Sequence, residues 1–260
     1  MAKTIAIINQ KGGCAKTTTT MHLGIGLARQ GKRVLLVDAD PQASMTVALG
    51  WNRQDELKIT LAHLLTKIDI GEELDPRAGV LQHAEGVDLV PANITMSSLE
   101  ASMAHMDCRE QLLKSYLALH QDSYDYILID CLPSLGVLAV NCLTAADSVI
   151  VPVQPEFLSS VGMTLLFKAI AKVRRKLNPA LAIDGVLMTM ADMRNNHAHE
   201  AVREITQALG GQVRLFDAQI PVNVKVREAS AKGRSVYVHS PRSKAAVAYE
   251  KFTQEVLGDG

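Results

Sequence analysis

The chain has 260 residues, of which 48% are hydrophobic, and its 27 basic residues balance 27 acidic ones. This length and composition suit a single compact core, so we expect residues 1–260 to form one domain. Because the formal net charge is zero, no overall positive field attracts nucleic acid or an anionic membrane. Any such binding requires a local cluster of cations.

The cysteines and the N-terminus narrow the class of protein further. The four cysteines form no CxxC pair and have no histidine partners at zinc spacing. This argues against a metal centre and a disulfide framework, and it favours a reducing compartment. The N-terminus has the pattern of a strand rather than an export signal, and no apolar run approaches the roughly 20 residues that cross a bilayer. We therefore expect a cytoplasmic protein without a membrane anchor.

Short runs of valine, isoleucine and leucine alternate with longer segments of helical periodicity. Predicted strands lie at 4–8, 33–38, 87–91, 126–130, 148–153 and 183–190, and predicted helices at 16–30, 109–120, 137–146, 160–176, 197–209 and about 243–257. The alternation is typical of βαβ units around a parallel sheet that is buried on both faces. We predict a doubly wound, mostly parallel α/β fold with helices on both faces, and we assign residues 50–85 to a surface excursion.

The segment after the first predicted strand has the composition of a phosphate-binding loop. It reads NQKGGCAKTT and opens the first predicted helix. Small residues let backbone N–H groups point at a polyphosphate, and the positive end of the helix dipole adds to the attraction. In such a loop Lys16 neutralises the β- and γ-phosphates and the Thr17 hydroxyl binds Mg²⁺. We therefore predict ATP and Mg²⁺ as ligands. The residues expected to contact them here are Gly12, Gly13, Cys14, Ala15, Lys16, Thr17 and Thr18.

The loop departs from the common pattern GxxxxGK[ST], because Gln10 and Ala15 stand where its two glycines belong. It resembles instead the deviant Walker A motif, KGGxGK[ST], of the ParA and MinD family of P-loop NTPases, whose additional lysine is matched by Lys11. The resemblance implies that Lys11 reaches the phosphates of a second subunit in an ATP-dependent homodimer. Ala15 departs from this motif as well. If the position requires a positive φ, alanine costs on the order of 1 kcal/mol there, and we expect weaker nucleotide affinity or hydrolysis.

Two further predicted strands end in acidic residues. Asp38 and Asp40 follow the second strand, and Asp130 ends the fourth. With the phosphate loop, three strands each end in a group that a Mg-ATP site requires. By resemblance, Asp40 orients or activates the attacking water, Asp38 lies near the metal, and Asp130 is the Walker B carboxylate that holds Mg²⁺. The predicted catalytic residues are Lys11, Lys16 and Asp40, and the predicted metal-site residues are Thr17, Asp38 and Asp130.

The resemblance covers essentially the whole chain and implies two further sites. Loops around Met190 and Pro221 are expected to approach the adenine base. Arg194 and Lys225 fall where family members carry DNA-contacting cations, and Arg227 extends the same patch. Contacts to phosphate without base recognition give sequence-independent DNA binding that falls steeply with salt. Further candidate cations for this patch are Lys172, Arg174, Arg175, Lys176, Lys232 and Arg234.

The function implied by the resemblance is ATP-dependent partition of DNA. An ATP-bound dimer binds nonspecific DNA, and hydrolysis releases the protein from the nucleoid. We expect hydrolysis to be slow and to be stimulated by a ParB-type centromere-binding protein. Since the first strand begins almost at once, we expect no helix-turn-helix extension before the phosphate loop. One alternative is a membrane-cycling, MinD-like ATPase, which the tail at 246–260 disfavours because it carries three acids and one lysine. Others are a metabolic or iron-sulfur member of the superfamily, such as a ligase, and a scaffold that binds ATP with little turnover.

Overall fold

The computed structural model describes residues 1–155, 160–191 and 213–258. The strands are β1 (Lys3–Ile7), β2 (Val34–Asp38), β3 (Leu81–Gln82), β4 (Val87–Val90), β5 (Tyr126–Asp130), β6 (Ser148–Val153), β7 (Ala182–Thr189) and β8 (Leu215–Ile220). The helices are α1 (Lys16–Arg29), α2 (Ser44–Ala48), α3 (Leu61–Asp69), α4 (Thr95–Ser102), α5 (Leu112–Ala118), α6 (Val137–Ala145), α7 (Ser160–Lys176), α8 (Val224–Ser230), α9 (Val236–His239) and α10 (Lys244–Gly258). The helix predicted at 197–209 lies outside the described residues.

The strands of the described residues form one eight-stranded sheet in the order β3-β4-β2-β5-β1-β6-β7-β8. Neighbouring strands are parallel throughout, except that β3 runs antiparallel to β4. The predicted doubly wound, mostly parallel α/β fold is confirmed. Because β1 lies in the interior of the sheet, the loop that follows it is flanked on both sides by the ends of other strands.

Alternate residues of each interior strand point to opposite faces of the sheet. Helices cover both faces, so both sets of side chains are buried. Leu35 and Val37 of β2 belong to the core formed with α3 to α7. Val34 and Leu36 belong to the core formed with α1, α2, α9 and α10. Burial on both sides explains the continuous apolar runs that predict these strands. Among the described helices, none combines the length and the apolar character that crossing a membrane requires.

The predicted elements that lie within the described residues agree with the observed bounds to within three residues at each end. The sequence patterns nevertheless miss the two edge strands. β3 has only two residues, too few for a periodic signal. In β8, Phe216, Ala218 and Ile220 are buried whereas Asp217 is exposed, which is the alternation of a half-buried strand. That alternation is the signal from which β8 could have been predicted.

The assignment of residues 50–85 to a surface excursion is wrong for part of this stretch. It contains α3, in which Leu61, Leu64 and Leu65 are buried against the core. Three leucines at this spacing lie on one face of a helix. The flanking acids and Pro76 obscured that pattern in the sequence.

A buried histidine joins α1 to the C-terminal helices. The Val236 N–H donates to His22 Nε2 at 3.0 Å, so this nitrogen carries no proton. Nδ1 therefore carries the proton and donates it to the Thr18 carbonyl, 2.7 Å away. The ring stacks on Tyr249 with a centroid distance of 4.7 Å. Burial lowers the pKa of His22 to about 4.

The close packing of α1 against α10 depends on Gly26. A Cβ at this position would collide with Thr253 Oγ1 and lie 3.0 Å from the Tyr237 hydroxyl. We expect Gly26→Ala to lower the free energy of unfolding by about 1–2 kcal/mol, because overpacking outweighs the gain in helix propensity. Gly162→Ala in α7 is the matched control, since a Cβ there has nothing within 4 Å. Urea unfolding measures both, and an equal effect of the two changes would contradict this packing argument.

The buried His22 gives the fold a defined acid sensitivity. Its pKa is about 4 in the folded chain against 6.5 for an ordinary histidine, so the unfolded chain binds more protons between these values. Stability should therefore decrease as pH falls from 6.5 towards 4, by up to about 3 kcal/mol. Urea unfolding of the wild type and of His22→Gln across this range isolates the contribution. The variant should lack this part of the pH dependence, and identical pH profiles would refute the assignment.

Candidate nucleotide-binding site

Three adjacent strands deliver the predicted site residues to one edge of the sheet. β5 pairs with both β1 and β2, in registers that align Asp130 with Ile7 and with Asp38. The loop at residues 9–15 continues directly from β1. The structure therefore brings the phosphate loop and both strand-end carboxylates together.

The phosphate loop turns through two residues with left-handed backbone. Gly13 has φ 74°, and Ala15 has φ 64° and ψ 29°. The Thr19 N–H donates to the Ala15 carbonyl at 2.9 Å, so helical hydrogen bonding begins at once. This conformation accounts for the glycine that the deviant Walker A motif has at the position of Ala15. An L-residue there costs on the order of 1 kcal/mol.

The two predicted catalytic lysines belong to this same turn. Lys16 is 7% exposed, and its Nζ donates to the Lys11 carbonyl at 3.0 Å. The Lys11 N–H in turn donates to Asn9 Oδ1 at 3.0 Å. The Cys14 thiol lies 3.2 Å from the Lys11 carbonyl, and burial raises the pKa of this thiol. Cys14 is therefore a packing residue rather than a nucleophile.

Two side chains at the carboxyl ends of β6 and β7 bind carbonyl groups of the loop. Gln154 Nε2 donates to the Gly13 carbonyl at 2.6 Å. The Thr189 hydroxyl donates to the Cys14 carbonyl at 3.0 Å and is fully buried. Neither residue is assigned a role by the sequence patterns, although each stands at the carboxyl end of a predicted strand. These contacts hold the loop from the side opposite the carboxylates.

Asp38 is fully buried and is engaged by the protein itself. Its Oδ2 accepts hydrogen bonds from the Thr46 N–H and hydroxyl, each at 2.8 Å. Its Oδ1 accepts from the Asp40 N–H at 3.3 Å. Desolvation raises the pKa of Asp38 to about 6. The structure therefore places Asp38 beside the site but gives both of its oxygens partners from the protein.

Asp40 lies two residues beyond Asp38, on the more exposed side of the chain after β2. It is partly exposed, and its carboxylate accepts a hydrogen bond from the Gln42 N–H at 2.9 Å. The next turn is left-handed at Ala43, where φ is 51°. The end of β2 thus buries one carboxylate, that of Asp38, and the residues after it leave the other, that of Asp40, partly exposed.

Asp130 is fully buried, and among the described residues neither of its carboxylate oxygens accepts a hydrogen bond of ordinary geometry, although the Thr17 hydroxyl lies close enough to lower its pKa. Burial raises its pKa well above the ordinary value, and the charge of Asp38 raises it further. The neighbouring Thr17 hydroxyl and Lys16 act in the opposite direction. A buried carboxylate without a partner is the group that a bound cation would satisfy.

The donor set around Asp130 fits Mg²⁺ only in combination with other ligands. The described residues contain no group of three or more His, Cys, Asp or Glu side chains that could hold a metal by themselves. One carboxylate and one hydroxyl, from Asp130 and Thr17, leave most of an octahedral shell to phosphate oxygens and water. Mg²⁺ is commonly bound in this way at nucleotide sites.

The two residues predicted to approach the adenine base lie side by side. β7 and β8 pair in a register that aligns Thr189 with Ile220, so the residues that follow, Met190 and Pro221, share this edge of the sheet. Met190 is 41% exposed and has left-handed backbone, with φ 53°. Its sulfur lies 2.8 Å from Gln154 Nε2. This region therefore adjoins the side of the loop that Gln154 holds.

The predicted DNA-binding cations of α8 follow shortly after Pro221. Lys225 and Arg227 are exposed, but Lys225 Nζ pairs with Glu228 at 2.9 Å. Glu228 also contacts His239 Nε2 at 3.1 Å, and these neighbours lower its pKa. Lys232 and Arg234, just beyond α8, are exposed as well. Lys225 is therefore partly neutralised within the patch, and Arg194 lies outside the described residues.

Comparisons with known proteins agree with this geometry. Residues 2–183 match the family model of an AAA domain. The sporulation initiation inhibitor protein Soj of Bacillus subtilis is 39% identical to the chain over the full length of both. The chromosome partitioning protein ParA of Caulobacter vibrioides is 40% identical, over 98% of this chain and 94% of that protein. A solved structure of cobyrinic acid a,c-diamide synthase from Mycobacterium smegmatis with bound ADP and magnesium has a TM-score of 0.85 and 36% identity, covering 99% of this chain and 94% of the other.

The two sequence relatives match almost the whole chain, and their names agree with the resemblance that the phosphate loop indicates. The chain therefore belongs to the Soj/ParA family of chromosome-partitioning P-loop ATPases.

Proposed function

We propose that this protein hydrolyses Mg-ATP and uses the cycle to bind and release DNA during partition. The observation that carries the proposal is Asp130, a buried carboxylate that accepts no hydrogen bond of ordinary geometry and lies close to the Thr17 hydroxyl at the phosphate loop. A fold does not retain an unpaired buried carboxylate for stability, because the desolvation cost is high unless a ligand offsets it. A nucleotide-bound cation fits this position.

Each group of the site then has a distinct role. Thr17 and Asp130 would hold Mg²⁺, which when bound neutralises charge on the β- and γ-phosphates. Lys16 exchanges the Lys11 carbonyl for a phosphate oxygen. Asp40, at the open side, orients the attacking water. Asp38 is better suited to support the site than to bind metal, because Thr46 and the Asp40 backbone already occupy its oxygens.

We further propose that Lys11 acts across a homodimer. A second lysine beside one triphosphate would add a cation where negative charge develops during phosphoryl transfer. If Lys11 completes the site of a second copy, ATP binding and dimerisation become linked. Two copies of the cation patch on α8 would then bind one DNA together, so that DNA affinity depends on ATP through avidity.

The DNA interaction that this patch supports is electrostatic and independent of sequence. Arg227, Lys232 and Arg234 are exposed, and within the described part of the chain none of them forms an ion pair. Such cations displace counterions from phosphates and do not read bases. The proposed cycle is slow, is stimulated by a ParB-type partner, and operates in the cytoplasm on nucleoid DNA. All strands from β1 to β8 belong to one sheet, which supports a single ATPase domain.

A ligase is an alternative function, since one similar structure is a cobyrinic acid a,c-diamide synthase. The two proposals differ in what controls turnover. A ligase consumes ATP only with its acceptor substrate, whereas a partition ATPase responds to DNA. The names of the relatives that match the full chain favour partition.

DNA binding at graded salt tests the proposal directly. We expect the wild type to bind duplex DNA with Mg-ATP, and to bind at least tenfold more weakly with ADP or without nucleotide. Lys11→Ala should lose the effect of ATP on DNA binding and on dimerisation, measured by light scattering. Equal affinity for DNA in all nucleotide states would contradict the proposed switch.

Arg227→Ala separates the DNA patch from the nucleotide site within the same experiment. It should weaken ATP-dependent DNA binding about three- to tenfold and reduce the salt dependence by about one counterion per subunit, while Mg-ATP affinity is unchanged. Lys251→Ala removes an exposed cation from α10 and serves as the control. If both variants weaken binding equally, the surface near α8 is not the DNA site.

Ala15→Gly tests whether the strained turn at this residue affects the stability of the fold or its affinity for ATP. Gln154 and Thr189 hold the carbonyls of Gly13 and Cys14 within the fold, so we now expect the cost of the left-handed Ala15 to oppose folding rather than nucleotide binding. We expect the variant to raise the free energy of unfolding by about 0.5–1 kcal/mol and to change Mg-ATP affinity by less than about twofold. Thermal unfolding and calorimetric titration measure the two quantities. Much tighter ATP binding with unchanged stability would show instead that the turn forms only when ATP binds.

A further inference from the structure

The phosphate loop has two unlike sides because β1 lies between β5 and β6 in the sheet. On the side of β5 and β2 lie the carboxylates described above. On the side of β6 and β7, two neutral side chains donate hydrogen bonds to successive carbonyls of the loop, Gln154 to Gly13 and Thr189 to Cys14. Neither the loop motif nor the carboxylates predict a role in nucleotide binding for this second side.

The geometry of the peptide bond determines where the N–H group that follows each of these carbonyls points. In a trans peptide the C=O and the following N–H point in opposite directions. With the Gly13 carbonyl held by Gln154, the Cys14 N–H points away from β6. With the Cys14 carbonyl held by Thr189, the Ala15 N–H points away from β7. Among the described residues no backbone carbonyl accepts a hydrogen bond from either N–H group, and the Cys14 N–H lies close to its own thiol, which is a weak acceptor.

We infer that Gln154 and Thr189 are positioning residues, which orient two peptide groups of the loop so that the N–H groups of Cys14 and Ala15 face the triphosphate. The inference rests on the ATP binding proposed above and not on DNA binding or partition. It assigns to β6 and β7 a part in nucleotide affinity, beside the metal and catalytic groups supplied by β2 and β5.

The surroundings of Gln154 determine which end of its amide faces the loop. The Gly13 carbonyl lies 2.6 Å from the amide nitrogen, and Met190 Sδ lies 2.8 Å from the same atom. Both neighbours are acceptors, so the NH₂ group rather than the oxygen faces them. Gln154 therefore connects the loop to the neighbouring Met190 turn.

Thr189 acts on the peptide group that adjoins the strained residue. Its hydroxyl holds the carbonyl between Cys14 and Ala15, and Ala15 has φ 64°. Because Thr189 is fully buried, a flip of this peptide would leave its hydroxyl without a partner, which disfavours the flip. The hydrogen bond thus opposes relaxation of Ala15 out of the left-handed region.

Calorimetric titration with a non-hydrolysable ATP analogue and Mg²⁺ tests the inference. Thr189→Val removes the hydroxyl and keeps the shape, and Thr189→Ser keeps the hydroxyl. Gln154→Leu removes the amide at similar size. We expect Thr189→Val and Gln154→Leu each to weaken binding about three- to tenfold, as for one lost hydrogen bond, and Thr189→Ser to bind like the wild type. Inorganic tripolyphosphate with Mg²⁺, used as a competitor, should show the same losses, because the defect concerns the phosphates.

The outcomes separate this inference from the proposed function. Wild-type affinity in both Thr189→Val and Gln154→Leu would overturn the inference, as would an equal loss in Thr189→Ser and Thr189→Val. Failure of the wild type to bind the analogue would instead overturn the proposed ATP site. Gln154 is only partly buried, so Gln154→Leu should fold and provides a test even if Thr189→Val does not. Nucleotide-free melting temperatures of the folded variants should stay within a few degrees of the wild type, which excludes a general loss of structure.

Discussion

The candidate site depends on the position of β5 between β1 and β2. The registers of these two pairings place Asp130 level with Ile7, where the phosphate loop departs, and level with Asp38. A slip of one residue in either pairing would turn the side chains of β5 to the other face of the sheet. Because β5 is buried on both faces, such a slip would also misplace Ile127 and Ile129 in the core. Core packing thus enforces the geometry of the site.

This arrangement has an energetic cost that packing must offset. Asp38 and Asp130 are both fully buried, and the charge of Asp38 raises the pKa of Asp130. Asp38 is compensated by hydrogen bonds from Thr46 of α2, whereas Asp130 has no such partner. Ala15 adds backbone strain in the same place. Strain and unsatisfied polar groups concentrated at one point of an otherwise well-packed sheet are typical of a ligand site.

The order of the strands also explains why the two flanks of the loop differ. One flank supplies acids suited to a cation, and the other supplies donors that bind the loop carbonyls. The loop leads directly into α1, whose His22 is hydrogen-bonded to Val236 near the exposed cations of α8 and the turn after it. The nucleotide region and the proposed DNA surface are therefore joined by packed secondary structure.

The sequence by itself determined the interior of the sheet and the identity of the loop. Strands buried on both faces leave continuous apolar runs, and a phosphate loop must carry small residues and a lysine at short local spacing, so both features are legible in neighbouring residues. The sequence also located the strained turn, since Ala15 stands where the motif has glycine. Only the tertiary structure decided which side chains complete the site. Gln154 is 141 residues from Gly13, and Thr189 is 175 residues from Cys14. Periodicity reports whether a residue is buried but not which distant group it meets, and these partners are chosen by strand order and register.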